Sequence, residues 1–176
     1  VAGKVEFSGA SYMAIARYLP DGRLDPAFDV DGKVSLPFDG RNAEARGIAL
    51  QADGRIVVAG TATDNFYGDA DMALARLNSD GSVDGTFGVL GRVLTVFAPA
   101  DPNDPFNPPY ETAYALAVQP DGRILAAGYA AAAAWSHGDM AVVRYTPNGL
   151  LDPSFGNAGQ VRFNFYGHHA EANGIA

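Results

Sequence analysis

The sequence predicts an all-β chain, a β-propeller-like repeat array with four antiparallel strands per blade and about three blades, and three observations carry that prediction. The first is a long repeat: MALARLNSDGSVDGTFGVLGRVLTVF at 72–97 has one copy at 13–38 and another at 140–165. The second is a shorter block in the same register. ARGIALQADGRIVVAG at 45–60 returns as AYALAVQPDGRILAAG at 113–128, and AEARGIA at 43–49 is echoed by AEANGIA at 170–176. The third is local pattern, in which short apolar, β-rich runs are broken by Gly or Pro every ten residues or so, with no 3.6-residue periodicity. Self-similarity at about 60 residues makes each copy a supersecondary unit that buries its apolar faces on its neighbours. Four short strands stacked face to face form a propeller blade.

Residues 1–42 read as a partial blade, because Val1-Ala2-Gly3 matches Val58-Ala59-Gly60 and only a counterpart of 50–57 is lacking between Ala176 and Val1. The chain is therefore expected to be a segment of a longer array. The blade at 43–112 is complete. An Asp53-Gly54 turn joins the apolar runs 45–51 and 55–60 into a hairpin, and the runs 72–78 and 92–97 form a second pair across a longer loop. Ile56-Val57-Val58-Ala59 and Met72-Ala73-Leu74-Ala75 are apolar on both faces, as suits a sheet held between sheets. Met72 lies 59 residues after Met13 and Met140 lies 68 after Met72, so nine extra residues fall in the Pro-rich insertion APADPNDPFNPPYET at 98–112. Its prolines favour an extended excursion from one face. A further complete blade is expected at 113–169, and 170–176 reads as the first strand of another.

The motif QPDGRI, followed by small apolar residues and Gly, an (A/V)R(Y/L) strand and then DGxxDxxF, resembles the bacterial delta-60 repeat family. The residues that carry it are Gln51-Ala52-Asp53-Gly54-Arg55, Gln119-Pro120-Asp121-Gly122-Arg123, Asp21-Gly22-Arg23-Leu24-Asp25, Asp80-Gly81-Ser82-Val83-Asp84 and Gly149-Leu150-Leu151-Asp152. Asn148 replaces the first Asp of the last copy, which a type I′ turn accepts equally. The resemblance covers essentially the whole chain. It implies a β-propeller-like fold and an exported bacterial setting, secreted or at the cell surface, and it brings no catalytic residue set.

Composition narrows the function. A chain of 176 residues that is 48% apolar and 18% charged has the make-up of a folded domain rather than a disordered one. No apolar run approaches the ~20 residues of a membrane span, and no signal-peptide pattern is present, so the chain is expected to start after any such signal. The absence of cysteine excludes disulfides and thiolate metal sites without identifying a compartment. A net charge of −8, with lysine only at Lys4 and Lys33, argues against nucleic acid. The Asp-rich stretches 29–32 and 80–84 lack the terminal Glu of an EF-hand loop and read as turns. His137, His168 and His169 read as loop residues, and there is no Ser-His-Asp spacing or phosphate cradle. Carboxylates paired in space for sugar hydrolysis are the enzymatic option left open. No cofactor, metal or catalytic residue is expected, and a glycan-active enzyme ranks third among the functions considered.

Two sets of residues are singled out. Asp25, Asp84 and Asp152 each follow Arg17, Arg76 and Arg144 by eight positions, which predicts one Arg-carboxylate pair per blade, bidentate where geometry allows. Phe28, Phe87 and Phe155, three residues after each Asp, are expected to be buried anchors. The second set is aromatic: Phe7, Phe66, Tyr67 and Trp135 lie four to seven residues after a repeat glycine, and Phe106 and Tyr110 lie in the insertion. Such residues either cap the core between blades or stack on sugar rings or a partner protein. The expected function is a non-catalytic scaffold or a binding and adhesion module. The alternative is a self-assembling repeat, an oligomer or filament subunit. Expected partners are further repeats of the same parent chain, other copies of itself, and a glycan or protein ligand.

Overall fold

The structure, a computed structural model, describes residues 1–97, 103–104, 107–133 and 136–176, and places eleven strands and no helix among them. β1 (Ala2–Phe7), β2 (Ala10–Ala16) and β3 (Lys33–Leu36) form a first antiparallel sheet. β4 (Asn42–Leu50), β5 (Ile56–Thr63), β6 (Ala70–Leu77) and β7 (Arg92–Thr95) pair in sequence order as the second blade. β8 (Tyr110–Val118), β9 (Ile124–Ala131), β10 (Asp139–Tyr145) and β11 (Gln160–Phe163) form the third in the same way. A parallel bridge between Ala70 and Tyr110 joins the second blade to the third.

Strand alternation sorts the side chains of the second blade into two cores. Val58, Ala75 and Leu77 pack with Met13, Ile15, Leu36 and Phe38 of the first blade, whereas Val57, Ala59, Met72 and Leu74 pack with Ala126, Val143 and Tyr145 of the third. Every residue of β6 is buried, as is all of β5 except Thr63, which explains why both strands are apolar on successive positions. Repeat glycines permit the inner strands of the second and third blades to cross closely. A Cβ on Gly60 would collide with Glu44 O, and one on Gly128 with Thr112 O, beside matching register shifts at Ala45/Gly47 and Ala113/Ala115.

Three features differ from the sequence expectation. The Asp-Gly turns are not type I′: Gly22, Gly54, Gly81, Gly122 and Gly149 have φ between 82° and 94°, while the Asp or Asn before each stays at negative φ. Gly54 N donates to Gln51 O and Gln51 N to Arg55 O, a type I turn closed by a left-handed glycine, and the other four copies repeat this pattern. Asp53 Oδ1 accepts from Arg55 N at 3.0 Å, which is the role of the residue before the glycine. Next, Tyr110 is not in a loop, because 110–112 of the insertion pair with 129–131 and begin β8. Last, 170–176 forms no strand. Ala170 N and Ala172 N donate to Gly138 O and Gly128 O of the third blade, but no strand stands beside the segment as β5 stands beside β4.

Candidate functional site

Alternating strand directions give the array two ends. At the turn end, Arg17, Arg76 and Arg144 each donate from Nε to Oδ2 of Asp25, Asp84 and Asp152 at 2.8 Å. The pairs are not bidentate, because the rest of the guanidinium is engaged elsewhere. Nη1 of Arg17 donates to Ser79 O and Nη1 of Arg76 to Pro147 O, both carbonyls of the following blade. Nη2 of Arg144 donates to Ser154 Oγ at 3.0 Å. The other carboxylate oxygen accepts the amide two residues ahead, from Ala27, Thr86 or Ser154. Each guanidinium also lies over a ring, of Phe28, Phe87 or Phe155, at 4.6–4.7 Å from the centroid. Sequence reasoning missed Arg55 and Arg123, whose Nε atoms reach Asp84 Oδ2 at 3.2 Å and Asp152 Oδ2 at 2.8 Å. The available signal was their identical place in the two QxDGR turns, 51–55 and 119–123.

Asp84 and Asp152 are poor proton carriers. Burial pushes Asp84 up, but the Thr86 hydroxyl and amide together with Arg76 bring it below the usual carboxylate range. Bonds from the Ser154 hydroxyl and amide, with Arg123 and Arg144, hold Asp152 far below it. Both are held as anions by the arginines and hydroxyls that bind them. Phe28 and Phe87 are fully buried, whereas Phe155 is half-buried and departs from the expected pattern. Gly81 and Gly149 of the next blade close over the first two rings, and among the described residues no glycine turn closes over the third.

The loop end carries the aromatic set. Phe66 and Tyr67 sit between β5 and β6 with ring centroids 4.8 Å apart at 76°, and Phe66 is 82% exposed. Asp64 Oδ1 accepts from both of their amides, at 2.8 and 2.9 Å, and these bonds, Tyr67 first, lower the Asp64 pKa. Phe7, exposed at the end of β1, packs at 6.0 Å on Tyr12. On the third blade Tyr129 contacts both Tyr110, at 6.2 Å, and His169, at 4.9 Å. Trp135 and Phe106 lie outside the described residues. The loops are tied together: Asn42 Oδ1 accepts from Ser11 N at 2.8 Å, Asn42 Nδ2 donates to Asn65 Oδ1, and Asn65 Nδ2 donates to Gly40 O. Beside them Asp71 is buried against Arg41 at 2.9 Å; burial raises its pKa and Arg41 opposes the rise. Among the described residues no three His, Cys, Asp or Glu side chains are grouped as metal ligands.

A family model described as a domain of unknown function (DUF5122) beta-propeller matches residues 1–28, 51–87 and 119–155, more than half of the chain. The chain belongs to this family. Each DUF5122 match ends on the Phe over which the blade's Arg is stacked, and the Pro-rich insertion falls between the second match and the third. No curated protein matches this DUF5122 chain.

Proposed function

We propose that this DUF5122 chain is a non-catalytic, delta-60-type propeller module of an exported bacterial protein, a scaffold whose loop end binds a glycan or a protein ligand. The observation that supports this reading is the exposed Phe66–Tyr67 pair on a loop clamped by Asp64. A clamped loop has already lost its conformational freedom, so a ligand that stacks on it meets little further ordering cost. The labelled 176-residue protein applied to a printed glycan array tests the reading, beside the Phe66→Ala/Tyr67→Ala variant. Saccharide signals that disappear in the variant are expected; signals of equal strength in both proteins would remove this surface as the site. A second reading, self-assembly, is favoured by the apolar side chains exposed on the two outer blade faces.

A further inference from the structure

The loop at 64–69 belongs to the second blade, which packs on both of its neighbours, and its charges do not balance. Where the next strand begins, the second and third blades each give a carboxylate its own arginine, Asp71 with Arg41 at 2.9 Å and Asp139 with Arg162 at 3.0 Å. The second-blade loop adds Asp64 and Asp69, at whose repeat positions the third blade has Ala132 and His137. Asp64 Oδ1 is occupied by the amides of Phe66 and Tyr67. Asp69 is half-buried, and no hydrogen bond or ion pair among the described residues reaches its carboxylate. Arg41, the cation that acts on it, is engaged by Asp71.

Strand register puts this carboxylate at the foot of the aromatic pair. β5 and β6 pair as far as Thr63 with Ala70, and Asp64 N donates to Asp69 O at 2.7 Å, so the two acids stand opposite each other at the neck of the loop whose tip is Phe66 and Tyr67. Like charges placed opposite each other on a hairpin repel. Burial pushes the Asp69 pKa up, Arg41 opposes the rise and Asp64 adds to it. The faces of aromatic rings attract cations, and a net charge of −8 draws cations toward the chain. Asn65, exposed beside Phe66, accepts from Asn42 Nδ2 and donates to Gly40 O, which fixes its amide and leaves its second N–H without a partner among the described residues. Building on the loop-end reading of the function, we infer that the ligand is a saccharide chain with free amino groups, of the glucosaminyl kind: a sugar ring stacks on Phe66 and Tyr67, its ammonium group pairs with Asp69, and a hydroxyl accepts from Asn65 Nδ2. A fully N-acetylated chain leaves Asp69 without a counter-charge, and an acidic chain meets repulsion.

Calorimetric titration of the 176-residue protein with glucosamine oligomers and with their fully N-acetylated counterparts tests the amino-sugar class. The amine form is expected to bind, the acetylated form to bind several-fold more weakly, and the difference to shrink with added salt and to vanish in Asp69→Asn. The bond that closes the loop comes from the Asp69 backbone carbonyl, so this variant is expected to match the parent protein by circular dichroism. Equal binding of the two forms, or a preference unchanged in Asp69→Asn, overturns the amino-sugar class and leaves the loop-end reading standing. Failure of the amine form to bind also overturns it. Saccharide signals on the printed array that still depend on Phe66 and Tyr67 then preserve the loop-end reading, and their absence removes both. A lysine-rich peptide that binds through Phe66, Tyr67 and Asp69 where the oligomers do not overturns the saccharide in favour of a protein ligand.

Discussion

Phe87 of the second blade closes over Gly149 of the third, where a Cβ would stand 2.8 Å from the ring, and Phe28 lies against Gly81 in the same way at 3.1 Å. The glycine is required twice, by a φ of +82° and by the lack of room. Gly149→Ala is expected to cost about 1–2 kcal/mol from the left-handed backbone alone, and more from the displaced ring. Gly22→Ala separates the two effects, since its φ is +86° but nothing lies within 4 Å. Urea denaturation should show a clearly larger loss at Gly149 than at Gly22; equal losses would leave the ring contact without energetic weight.

The three motif phenylalanines should differ in the same way. Phe87→Ala removes a fully buried ring and is expected to cost about 3–5 kcal/mol. Phe155→Ala, on a half-buried ring, should cost markedly less. Matched denaturation curves check this, and a similar loss at both positions would contradict it.

Much of this was legible in the sequence. The repeat marks where like strands recur, and the two-faced burial of β5 and β6 follows from Ile56-Val57-Val58-Ala59 and Met72-Ala73-Leu74-Ala75. The Arg-Asp spacing of eight marked pairs that meet at 2.8 Å. Their single-point geometry was not legible, because the carbonyl drawing Nη1 away lies 62 residues on from Arg17 and 71 from Arg76, and only folding brings it near. Turn type escaped for a related reason: Asp-Gly serves both a type I′ turn and a type I turn with a left-handed glycine, and the φ of Asp53 has no separate mark in the sequence. The contact of Tyr129 with His169 was hidden because ILAAGYAA reads only as an apolar strand.

Arg76 is expected to contribute far more than Arg17. Arg76→Met leaves Asp84, which is 4% exposed, with the more distant Arg55 as its one cationic partner among the described residues, and breaking a buried pair on one side costs about 3–5 kcal/mol. Side-chain exposure at the Arg17–Asp25 pair is 33% and 16%, so solvent screening brings Arg17→Met nearer the ~1 kcal/mol of surface pairs. Thermal melting of the two variants ranks them, and a greater loss at Arg17 would reverse the argument.

Acid should destabilise the fold through the same carboxylates. The pKa values of Asp84 and Asp152 are lower in the folded protein than in the unfolded chain, so the unfolded chain takes up protons first as pH falls. Their stabilisation is complete above about pH 4, the ordinary Asp value, and is lost as pH drops through the lower folded values. Urea midpoints between pH 7 and pH 2 are expected to hold down to about pH 4 and then decline. A constant midpoint across that range would exclude the effect.

The second interface contains a polar contact where the first is apolar. Thr95 Oγ1 and Tyr145 OH lie 2.7 Å apart in the core, at the repeat positions of Leu36 and Leu77. Tyr145→Phe strands the Thr95 hydroxyl and should cost about 1–3 kcal/mol. Thr95→Leu combined with Tyr145→Leu reproduces the first interface and is expected to recover part of that loss. Additive losses in the double variant, read from denaturation midpoints, would show that the two positions are not coupled.

Complete burial of β6 between two neighbouring blades has a kinetic corollary. Among the described residues the second blade packs on both of its neighbours, so the amide protons of β6 meet solvent only after a flanking sheet has separated. Deuterium uptake should therefore be fastest along β1 and β11 and slowest at 72–76. The second blade would be the clock of the array, recording in its retained protons how often a neighbour lets go.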